Sequence, residues 1–572
     1  MVTALLLASC THPAPTRSPQ RLLDLSAEGA PAKVADIQIG HDTRHALVAS
    51  ARYQVYLPAR ALLVFALAAP SRNEEAARGF FRLRVRADGR DVGERQLNPR
   101  AVAGFKAMSL GFEGSGRTGT LDLDLTLEKG GEAQPVPPEV TLAVADPLLL
   151  DLGALGPRRG VVLISIDTLR RDHVGLYGYP KPTTPRLDAL GRQGLVCDDA
   201  VSVSSWTLPA HVSMMTSVEP AAHGAIDMKH GFNHRVPTLG TVFRRAGWLT
   251  QAITSHLYVS PEYGFDDGFD ALDYAYDRKG LDVANHALEF LDGVGDRPFF
   301  LFLHFYDPHW HYAPPPELVP IFEPEPYTGT LTGSWWQLRN RTRDQTTPAD
   351  LAHLLALYDG EIRYTDGQVA RVLERLRARA LDQTTLVAVT SDHGEEFLEH
   401  GHWEHQRTLY EELVRIPLLL AGPGVAPGQR VASQVSLLDL APTLLDWAGL
   451  PPLPTQRGRS LLRPLEEREA YGETDHGLLD TRKLFLRAGA VKWKAILTFD
   501  RKTDAAVSEE WYDLANDPQE TRSARPPAPA AAAIRARLLE RWQEARRRGQ
   551  GGRPVDLSPE QLEQLRALGY VQ

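Results

Sequence analysis

Two periodicities divide this chain. Between residues 20 and 150 the segments HALVASARYQVYLP, ALLVFALAA, FRLRVRADG and GTLDLDLTLEKG alternate apolar and polar positions or form short β-rich runs, separated by Gly, Pro and Asn. This pattern predicts a small N-terminal β-sandwich. From Arg159 onward, apolar runs of strand length alternate with amphipathic helical stretches such as VPTLGTVFRRAG and YTDGQVARVLERLRARA. Residues 159–464 therefore predict an α/β domain, with a mostly parallel central sheet and helices on both faces. Beyond Pro464 the strand candidates AVKWKAILTF and EEWYDLANDP precede the helix APAAAAIRARLLERWQEARRR and a terminal SPEQLEQLRALGY. Residues 465–572 thus predict a small C-terminal α+β subdomain with a helical tail. No internal repeat with a solenoid-like period is visible.

Length and composition agree with several domains, because 572 residues exceed what one hydrophobic core holds. With 43% hydrophobic and 24% charged residues, the chain can bury large cores. The formal net charge of -9, with no basic run outside Arg546–Arg548, gives nucleic acid no phosphate-tracking surface. The two cysteines, Cys10 and Cys197, stand in such different contexts that a structural disulfide is not expected. Cys197 reads as a small buried hydrophobe. Cys10 ends MVTALLLASC, which resembles the lipobox of bacterial lipoproteins, where that cysteine is lipidated after signal cleavage. Residues 1–19 are accordingly expected to be a lipoprotein-type signal and linker. They imply an exported, periplasmic or cell-surface protein held to the membrane by a lipid anchor at most.

Candidate chemistry gathers at the ends of three apolar runs. GVVLISID delivers Asp167; RPFFLFLHFYDPHWH delivers Asp307, His309 and His311; TTLVAVTSDHGEE delivers Asp392 and His393. The carboxyl ends of strands in open α/β sheets form a ligand crevice, so these distant side chains are expected to meet. TLPAHVSMMT, with Pro209 in its first turn, predicts a helix with Thr207 at its N-cap. There the positive end of the helix dipole would favour an alkoxide and an anionic ligand.

ISIDTLRRDHVGLYGY, TTPRLDAL, TLPAHVSMMTS, DPHWHY, TSDHGEEFLEHGH, LYEELVRIPLLLAGPG and WYDLANDPQE together resemble the sulfatase family within the alkaline phosphatase superfamily, from about Arg159 to Pro526. The resemblance implies an alkaline phosphatase-like fold, a divalent metal, and a nucleophile at a helix N-terminus attacking sulfur or phosphorus. In sulfatases the nucleophile comes from Cys or Ser in C/S-x-P-x-R, oxidised to formylglycine. Here the stretch reads TLPAH, with Thr207 as the first residue and His211 in place of the arginine. A threonine nucleophile resembles instead the phosphoethanolamine transferases, lipoteichoic acid synthases and nucleotide pyrophosphatases.

By this resemblance Asp167, Thr207, Asp392 and His393 hold the metal, with Thr207 both ligand and nucleophile. Thr168 takes the place of a second aspartate, and the mixed Asp/His set suits zinc or manganese better than calcium. His309 and His405 compete for the role of general acid, and His211 joins the catalytic set. Asp307, His311 and His405 resemble a second metal site, although a single metal is the expectation. His400 and His402 read as rim or structural residues. The expected activity is hydrolysis or transfer of a phosphoester or related anionic ester, whose organic part is a glycan or a lipid headgroup. The alternatives are sulfuric ester hydrolysis without formylglycine, and an inert glycan-binding surface lipoprotein.

Overall fold

The computed structural model describes residues 20–25, 33–39, 42–68, 80–98, 105–129, 132–135, 143–153, 158–323, 325–477, 479–489, 492–549 and 551–567. Cys10 and the lipoprotein-type segment lie outside the described residues. The chain forms two compact units, Met1–Pro157 with Arg245–Gly247, and Arg158–Arg244 with Trp248–Gln572.

The first unit contains a six-stranded and a five-stranded sheet. Alternation is plain in strand Phe80–Ala87, where Phe81, Leu83 and Val85 are buried while Arg82, Arg84 and Arg86 point outward. Arg82 pairs across the strands with Glu128, and Arg86 with Asp124. Leu63 and Phe65 of one sheet share a single core with Leu83, Leu121 and Leu123 of the other.

The second unit is built on an eight-stranded sheet. Its strands are β1 (Gly160–Ile166), β2 (Leu195–Cys197), β3 (Leu249–Thr254), β4 (Ala271–Tyr274), β5 (Phe299–Phe305), β6 (Thr385–Thr390), β7 (Leu418–Ala421) and β8 (Gln429–Val431). Their order is β4-β3-β5-β1-β6-β7-β2-β8. Pairs β4–β3, β3–β5, β5–β1, β1–β6 and β2–β8 are parallel, whereas β7 runs antiparallel to both β6 and β2. Every residue of β1, β5 and β6 is buried, as expected for strands covered on both faces.

Register places the functional residues. Ile166 pairs with Phe305, and Ser165 with both His304 and Thr390, so β1, β5 and β6 end at one level of the sheet. The residues that follow, Asp167, Asp307 and Asp392, leave along a common edge. Helices α1 (Thr207–Thr216), α2 (Gly280–Gly293), α3 (Pro348–Ala378) and α4 (Ala528–Arg548) complete the elements used below.

In the C-terminal part, strands β9 (Ala470–Thr474), β10 (Thr481–Ala488), β11 (Trp493–Asp500) and β12 (Ala506–Asp513) form an antiparallel sheet. Helix α4 lays Ala531, Ile534, Leu538 and Trp542, spaced by three or four residues, against Leu484, Leu486, Leu497 and Trp511. These residues lie in the same compact unit as the eight-stranded sheet.

Candidate active site

Thr207 is the first helical residue of α1, and Trp206, in extended conformation, occupies the N-cap. This corrects the expectation that Thr207 caps the helix. A cap hydroxyl at 207 would seek the backbone N–H of residue 209 or 210, and Pro209 has none. The Thr207 hydroxyl turns instead to the sheet edge, where Oγ1 lies 3.5 Å from Asp167 Oδ2 and 3.5 Å from His393 Nε2.

Asp167, Thr207, Asp392 and His393 are all buried. Ligand atoms of Asp167, Asp392 and His393 lie within 4.8 Å of one another. His393 Nδ1 faces the Gly394 carbonyl at 2.8 Å, which only accepts, so Nδ1 carries the proton and Nε2 presents a lone pair. That lone pair faces Asp392 Oδ2 at 3.2 Å and Asp167 Oδ1 at 3.7 Å. Neither of these carboxylate oxygens has a hydrogen-bond partner.

Burial, opposed in part by His393, pushes Asp167 up to about 7; burial and then Asp167 push Asp392 up. Two buried carboxylates and an imidazole lone pair converging without donors fit a divalent cation, with the Thr207 hydroxyl as fourth ligand. The His393–Gly394 bond is the outer-shell contact that fixes the tautomer of a ligating histidine.

The shell around this cluster contains residues the sequence did not single out. His304, the lone polar group of β5, places Nε2 3.2 Å from Asp167 Oδ2 and Nδ1 3.2 Å from Ser255 Oγ. Burial brings it down to about 4, so it is neutral at physiological pH. Thr168 adopts a φ of 54°, a left-handed conformation uncommon for a β-branched residue. Its backbone N–H donates to Asp392 Oδ1 at 3.4 Å and its carbonyl accepts from the Tyr358 hydroxyl at 2.7 Å. Its own Oγ1 is buried without a partner.

His211 lies one turn after Thr207. Its Nδ1 donates to the Thr207 carbonyl at 2.9 Å, and Nε2 accepts from Ser165 Oγ at 2.9 Å. Burial lowers it to about 4. Both ring nitrogens are therefore occupied in fixing the first turn of α1 and the end of β1.

A wall of rings faces the cluster. His405 lies 4.5 Å from His393 and 5.0 Å from His309, centroid to centroid, and His309 stacks on Tyr306 at 4.3 Å. Tyr306 also stacks on His256 at 4.9 Å. His405 Nδ1 meets Glu395 Oε1 at 2.9 Å, and Glu395 Oε2 accepts from the Tyr312 hydroxyl at 3.1 Å. Burial drives His405 and His309 well below the usual imidazole range and Glu395 well above the usual carboxylate range.

The structure does not bring Asp307 and His311 together with His405, and no such ligand grouping occurs among the described residues. Asp307 Oδ2 accepts from the Gly280 N–H that starts α2, at 2.8 Å, and its carbonyl accepts from Thr365 Oγ1 at 3.1 Å. His311 Nδ1 accepts from the Trp335 N–H at 2.8 Å. Both are committed to backbone N–H groups at the starts of helical turns. His400 Nδ1 meets Glu412 at 2.6 Å and Nε2 donates to the Glu520 carbonyl at 3.2 Å.

At this sheet edge the buried carboxylates of Asp167 and Asp392, the His393 imidazole and the helix-borne Thr207 hydroxyl form a candidate metal-dependent catalytic centre. Residues 159–450 match the sulfatase family, and residues 398–548 match the C-terminal region of N-sulphoglucosamine sulphohydrolase. The chain belongs to the sulfatase family of ester hydrolases. It is 25% identical to the arylsulfatase of Clostridium perfringens over 435 residues, covering 63% of this chain and 89% of that protein. A solved structure in complex with its substrate D-glucosamine-2-N,6-O-disulfate superposes with a TM-score of 0.57 and 21% identity, covering 70% of this chain and 100% of that one. The phosphonate monoester hydrolase of Agrobacterium radiobacter superposes with a TM-score of 0.56 and 20% identity, covering 68% of this chain and 96% of that one.

Proposed function

We propose that this protein is a metal-dependent hydrolase of a phosphoester or related anionic ester, with Thr207 as its covalent nucleophile. The observation that carries the reading is the Thr207 hydroxyl standing 3.5 Å from both Asp167 and His393 at the start of a buried helix. Position 207 holds neither Cys nor Ser, the side chains from which formylglycine is made, so the side chain itself attacks.

A divalent cation held by Asp167, Asp392, His393 and Thr207 would lower the hydroxyl's effective pKa and neutralise the ester oxygens. Thr207 Oγ, passing its proton to Asp167 Oδ2, then forms a bond to phosphorus as the bond to the leaving oxygen breaks, and Asp167 returns that proton when Thr207 Oγ leaves in the second displacement. The first leaving oxygen takes a proton from the Glu395–His405 pair, in which buried Glu395, held well above the usual carboxylate range, gives its proton to His405 Nδ1 as Nε2 gives one to the oxygen, with His309 as the competing donor. Water attacks the Thr207 ester in line, Thr207 Oγ leaves, and the same histidine accepts the water's proton. A threonine ester cannot release its group by opening to an aldehyde, so turnover requires this second displacement at the central atom. Phosphorus supports it readily, which favours the phosphoester.

The relatives that are arylsulfatases or carry a disulfated glucosamine favour a second reading, hydrolysis of sulfate esters of a sugar. Activity of the metal-loaded enzyme on matched phosphomonoesters, phosphodiesters and sulfate esters separates the two. A phosphoester preference supports the first; turnover confined to sulfate esters overturns it. Export and attachment through Cys10 complete the proposal on the LASC stretch alone.

A further inference from the structure

A second feature lies at the far end of α1. Ser217, which follows the helix, accepts from the Arg457 N–H at 2.7 Å, and its hydroxyl donates to the Leu438 carbonyl at 2.7 Å. α1 has ten residues and so spans about 15 Å from Thr207 to this point. Here Arg457, Arg459, Arg468 and Arg541 line a cleft of about 360 Å³, and Glu469 is its one lining carboxylate.

Charges around the cleft do not cancel. Arg457, Arg541 and Arg548 approach the buried Glu219 at 3.5, 3.7 and 3.5 Å, beyond hydrogen-bond range, so their attraction to it leaves N–H donors unspent. Arg468 pairs with buried Asp439, and Arg537 holds Glu469. Arg457 and Arg548 also reach Glu544, each at 3.6 Å. Arg459 is anchored by its backbone N–H on Asp439 at 2.7 Å, and its exposed guanidinium has no carboxylate partner among the described residues. Six guanidiniums thus meet Glu219, Asp439, Glu469 and Glu544, with buried Glu473 beside Glu219, an excess of positive charge on a chain whose formal net charge is -9.

The presentation is rigid. Between the exposed Arg457 and Arg459, a Cβ on Gly458 would lie 1.9 Å from the Leu438 carbonyl oxygen, so only glycine lets the chain pack there. Planar guanidiniums on a fixed backbone are suited to tetrahedral oxyanions, which they bind through paired N–H donors.

We infer that this cleft binds the sulfate or phosphate groups of an anionic oligosaccharide, at a site separate from the Thr207 centre. For the kind of chain involved, the inference rests on the proposed function in its second form, an anionic ester of a sugar, and the cleft itself supplies the charge and the space. The length of α1 puts the cleft beyond the reach of an ester of a single sugar bound at Thr207.

The full-length Thr207→Ala protein is titrated calorimetrically with a short heparin oligosaccharide, which it cannot hydrolyse, and separately with inorganic sulfate. Binding is expected to weaken with added salt. Adding Arg459→Glu should lower the oligosaccharide affinity by about tenfold or more. In an otherwise wild-type chain, Arg459→Glu should leave turnover of a small nitrophenyl ester unchanged. An unchanged oligosaccharide affinity in the Arg459→Glu protein overturns the inference. So does inorganic sulfate displacing the oligosaccharide at equal concentration, which would mark the cleft as a site for the free ion. Binding is read here without turnover, so failure of the Thr207 chemistry would show separately, in the small-ester assay.

Discussion

Thr207 Oγ1 and His393 Nε2 lie 3.5 Å apart, although 186 positions separate them in the chain. One comes from the first turn of α1 and the other from the loop after β6; both face the Asp167 carboxylate, and His393 faces Asp392 as well. Thr207→Ala removes the hydroxyl without disturbing a helix cap, because Thr207 makes no capping bond. Turnover should fall by several orders of magnitude, with stability changed by less than the ~1 kcal/mol a lost cap costs. Steady-state kinetics beside thermal unfolding checks both halves; near-normal turnover by the folded variant removes the nucleophile.

Metal analysis of the purified protein addresses the ligand cluster. Asp392→Asn exchanges a charged oxygen for an amide at a site where its Oδ2 has no other hydrogen-bond partner, so bound metal and activity should be lost together. Asp307→Asn and His311→Ala should leave stoichiometry at one metal, because those side chains hold the Gly280 and Trp335 backbone. Two metals in the wild type, one of them lost on Asp307→Asn, would contradict this assignment.

The part of this site legible in the sequence was the part set by strand ends. Asp167, Asp392 and His393 each follow an apolar run, and equal register of β1 and β6 turns that linear signal into proximity. Thr207 is legible by motif, but its place relative to the cap is not: Pro209 offers no N–H to a cap at 207, and the helix begins at Thr207 with Trp206 as its cap. Asp307 and His311 end the run after β5 in the same way, yet a free backbone N–H beside each takes up its side chain, and sequence spacing carries no record of that. His304, His256 and Glu395 gave no signal of their own. A histidine within FFLFLHF looks like a core residue until the direction of its ring is known.

The Glu395–His405 pair makes a prediction about leaving groups. If His405 protonates the departing oxygen, His405→Ala and Glu395→Gln should slow the single-turnover release of the alcohol from alkyl esters much more than the burst of nitrophenol from nitrophenyl esters, whose leaving group needs no proton. Equal losses on both substrates would assign the pair to structure. The same comparison on His309→Ala decides between the two histidines.

Stability should fall as pH rises through the mildly alkaline range. Glu412 raises His400 to about 9, so its contribution is complete below the unfolded value near 6.5 and is lost as pH passes about 9. Burial raises Glu396 to about 8, so the unfolded chain ionises it first and stability also falls with pH up to about 8. Denaturant unfolding between pH 6 and 9 should show this slope, flattened in His400→Gln; an unaltered slope in that variant would refute the assignment.

The covalent step is tested most directly by trapping it. The metal-loaded His405→Ala protein, in which the second displacement should be slowed, is mixed with a nitrophenyl phosphate ester, acid-quenched within one turnover and digested for mass spectrometry. Our account predicts one phosphoryl group on the peptide containing Thr207, on that residue, and none on the same peptide from Thr207→Ala. An unmodified Thr207 during an observed burst of nitrophenol, or a phosphoryl group on another side chain, would contradict it.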